Sequence, residues 1–180
     1  LPIEEQVAHA ASRVEAKLKG RSGSRKGVYI AYFQNFTSTY GDRARLTGLY
    51  RSALACPGVA GLAIATRPDC LSDGMLSDLA EISRESFVQL ELGLQTADEN
   101  TGRLINRCYT NADYSAALGR IRAAAPGIHV VTHLIFGLPG ESPETMLKSV
   151  DFVVKENAAA RDWGIKFTVL YVVEDAPISA

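Results

Sequence analysis

Glu91 and Gln95 stand on one face of a short alternating stretch, and Arg107 follows twelve residues later. In an extended chain residues two apart share a face, so Gln89, Glu91, Gly93 and Gln95 lie opposite Val88, Leu90, Leu92 and Leu94. A partly buried carboxylate can be tuned toward neutral pH and act as acid or base, which makes Glu91 one candidate for chemistry. His133 falls on the polar face of a second stretch, two and four residues before Ile135 and Gly137, where an imidazole can hydrogen-bond a ligand. No cysteine or second histidine at suitable spacing accompanies it, which argues against a metal role. The other unusual residues fall just after strand-like stretches: Gln34-Asn35-Phe36-Thr37-Ser38-Thr39-Tyr40, Arg67-Pro68-Asp69 and Gly137-Leu138-Pro139-Gly140-Glu141. Each has a local alternative: Arg67 and Asp69 pairing with each other, Pro68 ending a strand, Gly137 and Gly140 making a tight turn.

Several common chemistries find no support. There is no G-x-S-x-G elbow, no P-loop and no H-E-x-x-H, and the single glycine of Glu91-Leu92-Gly93-Leu94-Gln95 cannot make a dinucleotide-binding turn. Cys56, Cys70 and Cys108 are odd in number and widely separated, which suits neither a disulfide framework nor a C-x-x-C metal site. Each is expected to be a buried small hydrophobe. His9 is expected on a helix surface or packed, and His129 as a satisfied core imidazole low in its strand.

The elements that must position these groups alternate. Ile3, Val7, Val14 and Leu18 follow helical spacing, so residues 1–19 form an amphipathic helix, and the glycine- and serine-rich residues 20–27 form a flexible, solvated connector. Residues 28–180 hold repeated strand-helix units. Strands are expected at 28–34, 61–66, 87–93, 128–136 and 165–173. Helices are expected across Leu46–Ala53, from Ser72, after Asp98, from Asn111 to Pro126, and from Ser142-Pro143 to about Asn157, where serine caps and proline suits the first turn.

Five strands alternating with helices imply right-handed crossovers and a parallel sheet. A doubly wound sheet would make both faces of a central strand apolar, whereas a barrel turns one face to a lumen. The polar face of 87–95, echoed by His129, Val131, His133 and by Lys166 and Thr168, favours the lumen. The expected fold is therefore α/β, a partial TIM-type barrel in a single domain over 1–180, with too few strands for a complete (β/α)8 barrel. Ligands would bind where the loops leave the carboxyl ends of the strands.

A chain of 180 residues, 47% hydrophobic with a formal net charge of −1, is expected to be one globular domain not built mainly to grip nucleic acid. Nothing resembles a signal peptide, and no apolar run is long enough to span a bilayer, so no membrane partner and a cytoplasmic location are expected. The chain begins at Leu1 rather than Met, so it is treated as a fragment.

Gly93-Leu94-Gln95, Ile105-Asn106-Arg107 and Leu134-Ile135-Phe136-Gly137-Leu138-Pro139-Gly140-Glu141 resemble, in order and spacing, motifs of radical SAM enzymes related to oxygen-independent coproporphyrinogen oxidase and the elongator catalytic subunit. Ala31 to Tyr40, with Thr66-Arg67-Pro68-Asp69, most resembles a bacterial radical SAM subfamily. The resemblance implies a six-stranded partial barrel, (β/α)6, whose first strand and cysteine loop hold a [4Fe-4S] cluster. Those elements would precede this chain, and the closely spaced cysteine ligands are absent from it. It implies S-adenosylmethionine as cofactor, cleaved reductively to a 5′-deoxyadenosyl radical, with an electron donor of the reduced flavodoxin or ferredoxin type. Carried over residue by residue, Asn35, Phe36 and Thr37 sit where the family receives the methionyl amino group, with larger residues replacing two of its smallest. Gln95 and Arg107 fall on ribose- and carboxylate-contacting positions, and a planar guanidinium matches a carboxylate bidentately. His133 replaces a ribose-binding aspartate; Ala65 stands where relatives often place a glutamate, with Arg67 nearby. Ile135 and Leu138 would form the apolar bed for adenine. The substrate stays open, transfer RNA among the options.

Two other readings remain. The missing cysteines suit a non-catalytic SAM- or nucleotide-binding partial barrel, and Glu91 suits an ordinary barrel enzyme using acid-base catalysis.

Overall fold

A computed structural model describes residues 1–18 and 27–173, so the 20–27 connector falls almost wholly outside the described residues. After the helix α1 (Ile3–Leu18) the chain runs β1 (Tyr29–Phe33), α2 (Arg43–Leu54), β2 (Val59–Thr66), a short 3-10 turn (Pro68–Cys70) and α3 (Asp73–Ile82). It continues through β3 (Phe87–Gln95), α4 (Glu99–Leu104), α5 (Asn111–Ala124), β4 (His129–Phe136), α6 (Pro143–Asn157) and β5 (Trp163–Val169). The strands form one sheet in the order β1-β2-β3-β4-β5, every pair parallel, as right-handed crossovers through intervening helices require.

The loops leaving the strands end on capping residues. Asp42, Ser72, Asp98, Thr110 and Ser142 each accept a hydrogen bond from a backbone N–H three residues on, and Thr110 with Asp113 makes a reciprocal capping box. These caps satisfy orphan donors at the helix starts and so fix where each rim loop stops.

The helix-facing side of the sheet is the core. Leu62, Ile64, Val88, Leu90, Leu92, Leu94 and Leu134 are fully buried there, against Tyr50 and Ala53 of α2, Met75, Leu76 and Leu79 of α3, Tyr114, Leu118 and Ile121 of α5, and Val153 of α6. The other side carries different residues in register. Ala65, Glu91, Val131 and Gly164 form one row, and Gly93, His133 and Lys166 the next. Three small residues, Gly61, Ala63 and Ala65, line β2 on this side. The sheet curls enough that Lys166 Nζ of one edge strand lies 2.8 Å from the Tyr32 hydroxyl of the other. The fold is a five-stranded half-barrel with helices outside, as the alternation in 87–95 foretold.

Three expectations need correction. β5 starts earlier than 165 and stops at Val169, which pairs with Phe136, the last residue of β4; Gly137 then turns away with φ 84 and ends the ladder. His129 is no core imidazole but half-exposed, its Nδ1 2.6 Å from Asp162 at the amino end of its strand. Only Cys56 is a buried hydrophobe: Cys70 is half-buried in its turn, and Cys108 is exposed on a loop residue with φ 66.

Candidate functional site

At the carboxyl end of β3 the ladder breaks. Pairing passes from Gly93↔His133 to Gln95↔Leu134, leaving Leu94 as an extra residue, and Gln95 takes φ 68. A left-handed φ on a residue other than glycine costs about 1–3 kcal/mol and persists only where surroundings hold it. Asn106, Cys108 and Phe36 share this conformation, so among the described residues it falls in the loop after β1, at the last residue of β3 and between α4 and α5. Gln95 folds its amide back over Gly93: a Cβ on Gly93 would meet Gln95 Nε2 at 2.5 Å. Its carbonyl oxygen Oε1 is buried with no hydrogen-bond partner among the described residues. A buried acceptor without a donor is costly, so this atom is a strong pointer to a ligand that donates.

Arg107 holds this loop in shape. Its side chain is 1% exposed. Nε donates to Tyr109 O (2.8 Å), Nη1 to Thr96 O (2.6 Å), Leu94 O (3.2 Å) and Asn111 Oδ1 (3.1 Å), and Nη2 to Glu99 Oε2 (2.9 Å). The guanidinium expected to meet a ligand carboxylate instead meets Glu99 and three backbone carbonyls. Tyr109 donates to Gly93 O at 2.7 Å, and burial pushes its phenol up to about 12. Both Arg67 and Arg107 lie over its ring, at 5.3 and 5.2 Å. Arg67 also grips Asp69 with two donors (3.0 and 2.6 Å), the local pairing its spacing allowed.

The β4 rim adds the Gly137–Glu141 loop. Gly137 and Gly140 take φ 84 and 79, Leu138 is buried, and Ile135 is half-buried beside Thr168 of β5. Thr96 donates to the Glu141 carboxylate and so fastens this loop to the one after β3, while the Ser149 hydroxyl of α6 accepts from Ala97 N at 2.8 Å. The second Glu141 oxygen is buried without a partner. Lower in the lumen, His133 Nε2 shares a 2.5 Å hydrogen bond with Thr168. Burial, then the nearby Lys166 ammonium, hold its imidazole below the usual range, so it is neutral at pH 7.

The loop after β1 is more open. Ser38 N donates to Ala65 O at 3.0 Å and ties it to β2, while Thr37 is half-buried, Asn35 is exposed, and Phe36 projects outward at 98% exposure. The structure thus gathers Gln95, Arg67, Arg107 and Tyr109 in one cluster, places His133 deeper on the same concave side, and leaves Phe36 apart. Tyr109, Thr96 and the contact of Lys166 with Tyr32 were missed from the sequence, although strand parity had put Lys166 on the lumen face.

A parallel half-barrel with a strained, polar rim at the carboxyl ends of its strands defines the class of partial β/α barrels that bind a small organic ligand at that rim. Comparison with known families makes this specific. Residues 16–153 match the Radical SAM superfamily model, and the chain belongs to that superfamily. It is 38% identical to YtqA of Bacillus subtilis over 84% of this chain and 45% of that protein, and 37% identical to YhcC of Escherichia coli over 96% of this chain and 51% of that one. The chain therefore spans about half the length of the curated relatives it matches. Among solved structures it superposes on the archaeal Elp3 of Methanocaldococcus infernus with a TM-score of 0.76 at 18% identity, over 99% of this chain and 44% of that one, a likeness of fold.

Proposed function

We propose that this chain is the S-adenosylmethionine-binding core of a radical SAM enzyme, with the adenosyl group at the rim above Gly93. The observation that carries this reading is the buried, unpartnered Gln95 Oε1, an acceptor fitted to a ribose hydroxyl. In this family, S-adenosylmethionine supplies the 5′-deoxyadenosyl radical that removes hydrogen from a substrate.

The residues take distinct parts. Gln95 accepts from the ribose, with neutral His133 available to donate or accept below it. Arg107 acts at one remove: it locks the carbonyls of Leu94, Thr96 and Tyr109 and so fixes the strained backbone that aims Gln95. Arg67, held by Asp69, stands beside Tyr109 as the nearer cation for a carboxylate. Ile135 and Leu138 supply the apolar surface and turn for adenine, and Asn35 and Thr37 approach the methionyl end, with Phe36 projecting away from it.

A cluster does not fit these residues. No group of three or more His, Cys, Asp or Glu side chains among the described residues is placed to hold a metal ion, and no step is assigned through one. Cluster ligands, and a docking surface for a flavodoxin- or ferredoxin-type donor, would have to be supplied from outside the described residues.

Calorimetric titration with S-adenosylmethionine tests the reading. Binding should weaken about 10-fold or more in Gln95→Ala, the loss expected for a hydrogen bond into a buried site, and be partly kept in Gln95→Glu. No detectable binding by the wild-type chain or the reconstituted full gene product, or equal binding by Gln95→Ala, refutes it.

A further inference from the structure

Three polar side chains cross the concave face in one chain of contacts: Tyr32 of β1, Glu91 of β3 and Lys166 of β5. They join the two edge strands to the middle one. The Tyr32 hydroxyl donates to Glu91 Oε2 at 2.5 Å, and Lys166 Nζ donates to the Tyr32 oxygen at 2.8 Å and to the same carboxylate oxygen at 3.0 Å. Gln89 Nε2 donates to the other carboxylate oxygen, Oε1, at 3.0 Å. Glu91 is thereby supplied with three donors and needs nothing further.

The ion pair is lopsided in its exposure. The Glu91 side chain is 7% exposed and that of Lys166 34% exposed, so the negative end is sealed under tyrosine and the positive end is open to the lumen. An ammonium has three N–H donors, and among the described residues only two are used. Burial alone would raise the Glu91 carboxyl, but the hydrogen bonds from Tyr32 and Lys166 outweigh it and hold it below the usual carboxylate range. Burial likewise would lower Lys166, and its bonds to Tyr32 and Glu91 outweigh that and keep it protonated. Lys166 sits in the same row as Gly93 and His133, directly below the rim. The lumen side of β2 carries only Gly61, Ala63 and Ala65, so no side chain of that strand competes for the ammonium.

We propose that Lys166, oriented by Tyr32 and Glu91, is the anchor for an oxyanion group of the substrate, a carboxylate or a phosphate, entering the lumen beneath the proposed S-adenosylmethionine site. This assignment of a substrate class rests on the reading of the lumen as that enzyme's reaction chamber. A partly desolvated ammonium with a free donor pairs with such a group more strongly than a surface lysine does, because fewer waters compete. Glu91 and Tyr32 are positioning residues: they touch Lys166, and the open face they leave is its third N–H.

The test uses inorganic phosphate and acetate as separate probes. Each is titrated calorimetrically into the chain, and the ε-carbon resonance of Lys166, assigned by its loss in Lys166→Met, is followed in parallel. A saturable heat with a shift of that resonance is expected for at least one probe, and the stronger of the two says whether phosphate or carboxylate is the natural group. Binding should fall about 10- to 100-fold in Lys166→Met, the range for a charge-assisted hydrogen bond, and persist in Lys166→Arg. Glu91→Gln should keep or tighten it, since the competing carboxylate charge is gone. Because Lys166→Met strands a buried carboxylate, the double variant Glu91→Gln/Lys166→Met removes both charges and must also lose binding.

Unchanged probe binding in that double variant, or no response of the Lys166 resonance to either probe, overturns the proposal. Loss of S-adenosylmethionine binding in Lys166→Met overturns it too, by assigning Lys166 to the cofactor. Probe binding without any S-adenosylmethionine binding by the wild type leaves the oxyanion site standing and refutes the radical SAM reading instead.

Discussion

Arg107→Ala separates a guanidinium that supports a loop from one that grips a ligand. In the structure its donors meet Leu94, Thr96 and Tyr109 carbonyls, Asn111 and Glu99, all within 3.2 Å. Glu99 is 39% exposed and keeps a 2.7 Å hydrogen bond from Asn111 N, so losing the ion pair itself costs little. The carbonyls are another matter: Leu94 O keeps a donor in Thr96 N at 2.9 Å, but those of Thr96 and Tyr109 lose theirs, and each buried acceptor left without a donor costs about 1 kcal/mol or more. Emptying the space beside Gly102, where a Cβ would stand 3.0 Å from Arg107 Cζ, adds a packing loss. The total is about 3–5 kcal/mol, the range for truncating a buried charged partner. For a domain of this size that is a fall of about 6–20 °C in melting temperature. Arg107→Lys, which keeps charge but not the fork, should fall between the wild type and alanine. Thermal and urea unfolding followed by circular dichroism measure the effect, with S-adenosylmethionine titration on the same samples. A loss below about 1 kcal/mol, combined with a binding defect of 100-fold or more, would refute the loop-supporting role and return Arg107 to direct carboxylate contact.

Other expectations are narrower. Gly93→Ala puts a Cβ 2.5 Å from Gln95 Nε2, the movable end of a side chain, so it should displace the amide and weaken S-adenosylmethionine binding about 10-fold while costing no more than about 1 kcal/mol in urea. The His133 ring resonances should titrate below about 6.5, and the midpoint should move up in Lys166→Met; a wild-type midpoint above that value contradicts the burial found here. Because the folded value is the lower one, the His133 contribution to stability is full above about pH 6.5 and is lost as pH falls through the folded value, which acid-side unfolding curves of wild type and His133→Gln can resolve. Thr110→Ala removes one side of the capping box at α5 and should shift the urea midpoint by about 1 kcal/mol, with its main effect on stability rather than binding.

The half-barrel was readable because β3 touches helices on one side and a lumen on the other, and this difference is written residue by residue in 87–95. Gln95 and His133 followed from the same parity. The conformation of Gln95 did not, since no residue type at that position advertises a left-handed backbone; it is imposed by the bulge at Leu94 and by Arg107. Arg107 was legible as a guanidinium near the rim but not as a buried one, because its acceptors are mainly carbonyls, which every residue carries. The Tyr32–Lys166 contact joins residues 134 apart, and only the curl of the sheet brings them together. His129 was misplaced because strand position alone does not say where the helical cover ends.

The small residues along β2 have a further consequence. Gly61, Ala63 and Ala65 contribute no polar group to the lumen, yet they sit between Tyr32 on one side and Gln89 and Glu91 on the other. Bulk and chemistry are therefore carried by different strands: β1, β3, β4 and β5 present the polar side chains of this face, Tyr32, Gln89, Glu91, His133 and Lys166, and β2 presents only small ones. A larger side chain at Ala63 or Ala65 would therefore add bulk beside Tyr32, Gln89 and Glu91 without removing a polar group from this face.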